Sequence, residues 1–155
     1  MRRRKLLAIG AGGAGIGLSG CLSYFDSEVQ LALLEVQNET LDERSADIRV
    51  LDGEQQIQEY EVTIGPAERI DEDVRVPTAT TVECGWDTEP REFYLEARLN
   101  EEWKTVDVAS EADGDCVYAG VQIVEEDFFF VRVRSCEELD EDSNICSAFE
   151  DELEF

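Results

Sequence analysis

Glu92-Phe93-Tyr94-Leu95-Glu96-Ala97-Arg98-Leu99 is the stretch whose pattern decides the fold. Phe93, Leu95, Ala97 and Leu99 fall on one side of an extended chain; Glu92, Tyr94, Glu96 and Arg98 fall on the other. Successive side chains of a strand point to opposite faces, so this alternation buries one face and wets the other. A helix would scatter the same four apolar residues around its circumference.

The same period of two runs outward in both directions. Upstream, Val29, Leu31 and Leu33 alternate, and Leu34 and Val36 continue in the opposite phase, which predicts a strand with a bulge. Ile48 and Val50 mark a second strand. Asp52-Gly53 is a tight-turn signal leading into Tyr60, Val62 and Ile64, and Gly65-Pro66 breaks that run. Ile70, Val74 and Val76 are the apolar positions of the next strand, interrupted by Asp71-Glu72-Asp73 and ended by Pro77. Thr80 to Cys84 is β-prone, and Gly85 to Arg91 reads as a loop. Downstream, Asn100-Glu101-Glu102 turns into Trp103 to Val108, and Ser110 to Asp115 is a polar loop. Val117, Ala119, Val121 and Ile123 alternate again. Glu125-Glu126-Asp127 turns the chain, and Phe128 to Arg134 returns.

Roughly seven to nine short strands with no convincing helix before residue 137 predict an all-β domain. The expected architecture is an antiparallel β-sandwich, immunoglobulin-like in its layering, with a small β-barrel as the alternative. The domain is expected to span 29–136. Residues 137–155 form an acidic tail in which Ile145, Phe149 and Leu153 recur every four positions. That spacing fits a short amphipathic helix after a Ser143 cap, or a tail pinned only by Cys146.

The first twenty residues follow a different logic. Arg2, Arg3, Arg4 and Lys5 form a cationic start, and Leu6 to Leu18 an apolar run broken by five glycines. A membrane-spanning helix needs about 20 apolar residues. This run is shorter and has the layout of a cleavable signal peptide over 1–20. Residues 21–28 would then be a tether.

Four of the 13 basic residues lie in that segment, leaving nine against 38 acidic groups, a net charge of about −29. Lys104 is the only lysine after it. Such a charge strains a compact domain at ordinary salt. At molar salt the Debye length falls to about 3 Å and the repulsion is screened. Nucleic acid is excluded as a partner for so negative a surface.

Arg3-Arg4-Lys5-Leu6-Leu7 looks like a twin-arginine export signal, although the polar residue usual before the arginine pair is missing, which leaves Sec export as the alternative. Leu18-Ser19-Gly20-Cys21 resembles a lipobox, in which small residues precede a cysteine that is lipidated and becomes the new N-terminus. Together with acid enrichment and lysine depletion, these motifs resemble the secreted lipoproteins of haloarchaea. The resemblance covers the signal and the composition and no motif inside the domain. It implies a lipid anchor on Cys21, attachment to the outer face of the cell membrane, and a partner in the envelope. Two lipid chains give stable attachment where one gives only marginal binding.

With Cys21 set aside, Cys84, Cys116, Cys136 and Cys146 remain. An even count in an exported domain reads as two disulfides with three possible pairings. The preferred pairing is Cys116–Cys136, which brackets one hairpin, with Cys84–Cys146, which ties down the tail. A four-cysteine zinc site is disfavoured because no CxxC spacing occurs.

There is no histidine. That excludes Ser-His-Asp and Cys-His nucleophilic catalysis, histidine-ligated zinc and a blue-copper centre. No cofactor is implied, and the chain reads as a non-catalytic binding or structural module. A hydrolase working with carboxylates alone, or a small accessory solute-binding lipoprotein, are the alternatives.

Three minor patterns remain. Asp140, Asp142, Asn144 and Asp151 fall at EF-hand ligand positions, but Ile145 stands where that loop needs glycine, so no metal is assigned. Asn38-Glu39-Thr40 is an N-glycosylation acceptor in an expected loop. Phe128 and Phe130 share a face with Arg132 and Arg134, an aromatic–arginine stripe that is a candidate binding patch. The competing expectation is that Phe149 or Leu153 of the tail covers those rings.

Overall fold

The computed structural model describes residues 28–140, 143, 145, 146 and 149. The signal segment, Cys21, Leu153 and the EF-hand positions Asp142, Asn144 and Asp151 lie outside the described residues.

Ten strands carry the fold: β1 (Gln30–Asn38), β2 (Arg44–Asp52), β3 (Gln55–Ile64), β4 (Glu68–Arg69), β5 (Arg75–Val76), β6 (Thr78–Thr81), β7 (Phe93–Arg98), β8 (Lys104–Asp107), β9 (Cys116–Ile123) and β10 (Phe129–Ser135). They form two four-stranded sheets, ordered β10-β9-β1-β6 and β3-β2-β7-β8, plus the small hairpin β4-β5. The sheets pack face to face over one shared core and do not close into a barrel. The chain is therefore an all-β sandwich. In β7, Phe93, Leu95 and Ala97 are all fully buried while Tyr94, Glu96 and Arg98 are not, which is the alternation that decided the fold.

β1 departs from that alternation for a physical reason. Leu31, Ala32, Leu33 and Leu34 are buried in succession. A strand covered on both faces carries a continuous apolar run. β1 is central, paired antiparallel with β6 and parallel with β9, and its register against β9 shifts between Leu31 and Leu33. That irregularity is the change of phase visible in the sequence. The parallel pair is the one exception to antiparallel pairing, and it makes β1 an interior strand where the first strand of an immunoglobulin sheet lies at an edge.

The strand directions define two ends. β1 and β9 both run away from the end where residue 28 enters, here the entry end; a nine-residue strand carries the chain about 30 Å to the far end. Loops 39–43, 65–77, 99–103 and 124–128 lie at the far end, as the pairings Asn38 with Thr78 and Asn38 with Ile123 require. Loops 82–92 and 108–115 and the tail lie at the entry end, where Val29 bridges Arg91 and Gln30 N–H donates to Asp115 C=O (2.7 Å).

Both disulfides sit at the entry end. Cys84 joins Cys146 and Cys116 joins Cys136, with Cα atoms 5.7 Å and 5.4 Å apart, the two pairings named above. Trp86 plugs the same end: its indole N–H donates to Leu31 C=O (2.6 Å), and its ring meets Phe93 edge-on at 6.1 Å. Cys146 and Phe149 of the tail belong to the domain. Cys146 N–H donates to Ala32 C=O (2.8 Å), and Phe149 is fully buried in the core. The core thus reaches past the boundary at 136. Phe149 is part of the inter-sheet core, and Phe128 of the aromatic stripe remains 48% exposed.

Three local expectations are corrected. Ile70, Val74 and Val76 do not form a core-facing strand. Asp71-Glu72-Asp73 makes a tight turn, closed by Ile70 N–H to Val74 C=O (3.0 Å), and the resulting hairpin packs on no sheet, so its apolar residues are exposed. Val108–Glu111 is a single helical turn, α1, where a strand end and polar loop were expected; Val108 is fully buried and fixes it. Residues 136–138 form a short 3-10 turn capped by Ser135, whose hydroxyl accepts from Glu137 N–H.

Candidate functional site

The outer faces of the two sheets are built from similar residue types and reach different ends. On β3-β2-β7-β8 the cations are consumed. Arg98 pairs with Asp47 (2.8 Å), and Arg49 with Glu59 (3.2 Å) and Glu96 (3.7 Å). The guanidinium groups of Arg49 and Arg98 lie 4.0 Å and 4.4 Å from the ring centre of Trp103. Each cation has a carboxylate partner and an aromatic face, an arrangement worth more as a network than as separate surface pairs. Trp103 closes this face.

The outer face of β10-β9-β1-β6 is open. Register places Glu35, Gly120 and Arg132 in one cross-strand row, and Gln37, Gln122 and Phe130 in the next. Neighbouring strands lie about 4.8 Å apart, so Glu35 and Arg132 stand about 10 Å apart with only a glycine between them. A side chain at position 120 would fill the gap: a Cβ there would come within 3.6 Å of Glu35 Cγ and Oε1. That is ordinary van der Waals contact, so glycine here leaves open a space that a larger side chain would occupy. The result is a hollow of about 300 Å³ lined by Glu35, Gln37, Tyr118, Gly120, Gln122, Arg132 and Arg134.

A relay of hydrogen bonds sets its floor. Gln122 Nε2 donates to Gln37 Oε1 (3.1 Å), and Gln37 Nε2 donates to Glu35 Oε1 (2.6 Å). Gln122 is buried, so the relay is fixed rather than solvent-averaged. Across the hollow, Arg134 reaches Glu138 at 3.8 Å, a loose exposed pair. Arg132 lies 5.4 Å from the Phe130 ring centre and, among the described residues, forms no ion pair. The wall of the hollow is therefore cationic and its opposite side carboxylate, with neutral amides between.

The aromatic–arginine stripe is split by the structure. Phe130, Arg132 and Arg134 share the outer face of β10, with Phe130 half-buried under Arg132. Phe128 belongs to the far-end turn and is 48% exposed. Sequence reasoning missed Glu35, Gln37, Tyr118, Gly120 and Gln122. Gly120 between Ala119 and Val121 was the one available signal: a glycine inside an otherwise clear strand.

Asn38 is not a surface acceptor. It ends β1, is fully buried, and its side chain organises the far-end loops. Nδ2 donates to Asp42 C=O (2.7 Å) and Gly65 C=O (2.9 Å), while Oδ1 accepts from Thr40 N–H (2.9 Å) and Thr40 Oγ1 (2.8 Å). The sequon residues Asn38 and Thr40 bond each other, so a glycan on Nδ2 has no room in the folded domain.

No group of three or more potential metal-ligating side chains comes together among the described residues. Asp140 engages Ser143 on both sides: its N–H donates to Ser143 Oγ, and its Oδ1 accepts from that hydroxyl (3.1 Å each). Shifted ionisations lie away from the hollow. Burial raises the Tyr60 phenol, and the Arg91 guanidinium beside Asp87 holds that carboxyl below the usual carboxylate range. No helix of the described residues is long and apolar enough to cross a membrane.

The chain matches no family model, no curated protein and no solved structure.

Proposed function

We propose that this chain is a lipid-anchored module on the outer face of a cell membrane that binds a polar ligand carrying an acid group and transforms nothing. The anchor is Cys21, reached through export of the segment 1–20, and the compartment suits two disulfides. The acidic composition fits a domain that folds in concentrated salt.

One observation carries the binding reading. In a chain of net charge −25, Arg132 has no carboxylate partner among the described residues and stands at the edge of a hollow that Gly120 leaves open. A guanidinium is shaped to accept a carboxylate or other oxyanion in a bidentate fork. Gln37, Gln122 and Tyr118 offer donors and acceptors to the rest of a small polar ligand.

Processed protein extracted from membranes in about 2 M KCl, a regime of short screening length, would be titrated with acetate, glucuronate and glycine and followed by amide NMR. Shifts at Gly120 and Gln122, weakened tenfold or more by Arg132→Ala, are expected. Unmoved Gly120 resonances with all three compounds overturn the binding reading. Mass spectrometry of the mature N-terminus tests the anchor separately: an unmodified Cys21 removes it.

A further inference from the structure

The five large apolar side chains exposed among the described residues are Leu41, Ile70, Val74, Val76 and Phe128. They come from three loops separated widely in sequence. Leu41 is in loop 39–43, Ile70, Val74 and Val76 are in the β4-β5 hairpin, and Phe128 is in the β9-β10 turn. All three loops lie at the far end, and none of the five lies at the entry end. Scattered exposed hydrophobics need no explanation, but their collection at one pole does.

The loops are held in place. Asn38 Nδ2 fixes both the 39–43 loop and Gly65, and Thr78 Oγ1 donates to Pro66 C=O (2.7 Å) at the base of the hairpin. Ala67 N–H donates to Thr40 C=O (2.7 Å), joining the hairpin to the first loop. Glu39, Glu72, Asp73 and Val124 line one shared hollow, which places the hairpin tip against the β9-β10 turn. Val124 and Glu125 N–H groups both donate to Phe128 C=O, which closes that turn. Ile70, at 65% exposed, projects from a preorganised hairpin. Preorganised loops lose little entropy on binding.

The charge around them selects the occupant. The four far-end loops, 39–43, 65–77, 99–103 and 124–128, hold twelve carboxylates against two arginines. A second copy would bring the same carboxylates face to face. A lipid surface would strip water from Asp71, Glu72 and Asp73 at the hairpin tip, at a cost the few apolar residues do not offset. We infer that the far end is a docking surface for a separate protein that presents an apolar patch rimmed by lysine or arginine. Ile70, Val74 and Phe128 enter that patch, and the acidic rim sets orientation through ion pairs made at contact, the range that survives screening in high salt. That the surface points away from the membrane rests on the anchoring reading above; the patch itself does not.

The test places a photoreactive phenylalanine analogue at position 70 or 128 of the full-length anchored protein, with positions 54 and 113 at the entry end as controls. Cross-linking is done on intact membranes in high salt. The expected result is one protein adduct from 70 and 128 and none from 54 and 113. Its cross-linked segment is apolar and flanked by lysine or arginine. The identified protein, purified, should bind the unmodified chain, and Ile70→Ser with Val74→Ser should raise its Kd tenfold or more without moving Tm. Asp73→Lys should also weaken it. Adducts with lipid or a second copy, equal yields from the entry end, no adduct, or a Kd unchanged by the serine pair each overturn the inference. The hollow around Gly120 is titrated independently, so its failure and this one are read apart.

Discussion

The two ends of this sandwich are made by the same two four-stranded sheets and are finished in opposite ways. The entry end is sealed: both disulfides, Trp86 and the buried Phe149 converge there. At the far end Asn38 and Thr40 form a buried polar fastening, and the large apolar residues of the loops are exposed. The difference teaches where the sequence invests stability and where it leaves surface free for contact. Covalent and packing constraints raise the free-energy gap to the unfolded chain, whereas exposed loop residues leave it almost unchanged.

Removing the longer cross-link should have the largest effect. Cys84→Ser with Cys146→Ser opens a loop of 62 residues and should cost about 4 kcal/mol by the chain-entropy model. Denaturant unfolding measures it, and a loss below about 1 kcal/mol would mean the entry end is not the stable one. Phe149→Ala should cost about 3 kcal/mol, because a fully buried ring leaves a cavity. Asn38→Ala should cost about 2 kcal/mol: the carbonyls of Asp42 and Gly65 lose their donor inside the fold. Its hydrogen-exchange signature should be confined to the far-end loops, which separates it from a core defect. Ile70→Ser should change stability by less than about 0.5 kcal/mol. If it destabilises as much as Phe149→Ala, the contrast between the ends fails.

The smallest expected effect is electrostatic and belongs to the entry end. Arg91 bonds both Asp52 (3.1 Å) and Asp87 (3.1 Å), and its hydrogen bonds lower the pKa of Asp87. A carboxyl lowered in the folded state contributes stability above its ordinary value and loses it as pH falls through the folded one. Asp87 is exposed, so the contribution is slight. Carboxyl NMR should show Asp87 titrating below the ordinary aspartate range, and Arg91→Gln should return it toward that range.

Legibility in the sequence followed burial. β7 was readable because one face is fully buried and the other wet, so its pattern has a single cause. β1 was readable as a bulged strand, yet its central place lies in its pairing with β6 and β9, which the local run Leu31 to Leu34 does not encode. Asp52-Gly53 was readable because Gly53 adopts φ +59°, a conformation side chains resist. The hairpin at Ile70 misled because three apolar residues at strand spacing say nothing about whether a sheet lies beneath them. The hollow was the least visible part. Arg132 and Arg134 stood out by charge, but Glu35 and Gln122 reach them only through cross-strand register, which is a property of pairing and not of local sequence. Asn38 misled for the related reason that a sequon has no way to signal where its amide points.

β1 is the first strand of the described residues and also an interior strand, bonded along one edge to β6 and along the other to β9. A pull between the N-terminus and the far end runs parallel to it. Ladder bonds lie across the strands, so such a load shears many of them together instead of peeling them one at a time. Optical-trap extension from those two points should therefore meet a higher rupture force than extension across β10. A chain held at its entry end and loaded at its opposite pole would, by this geometry, resist unfolding under tension.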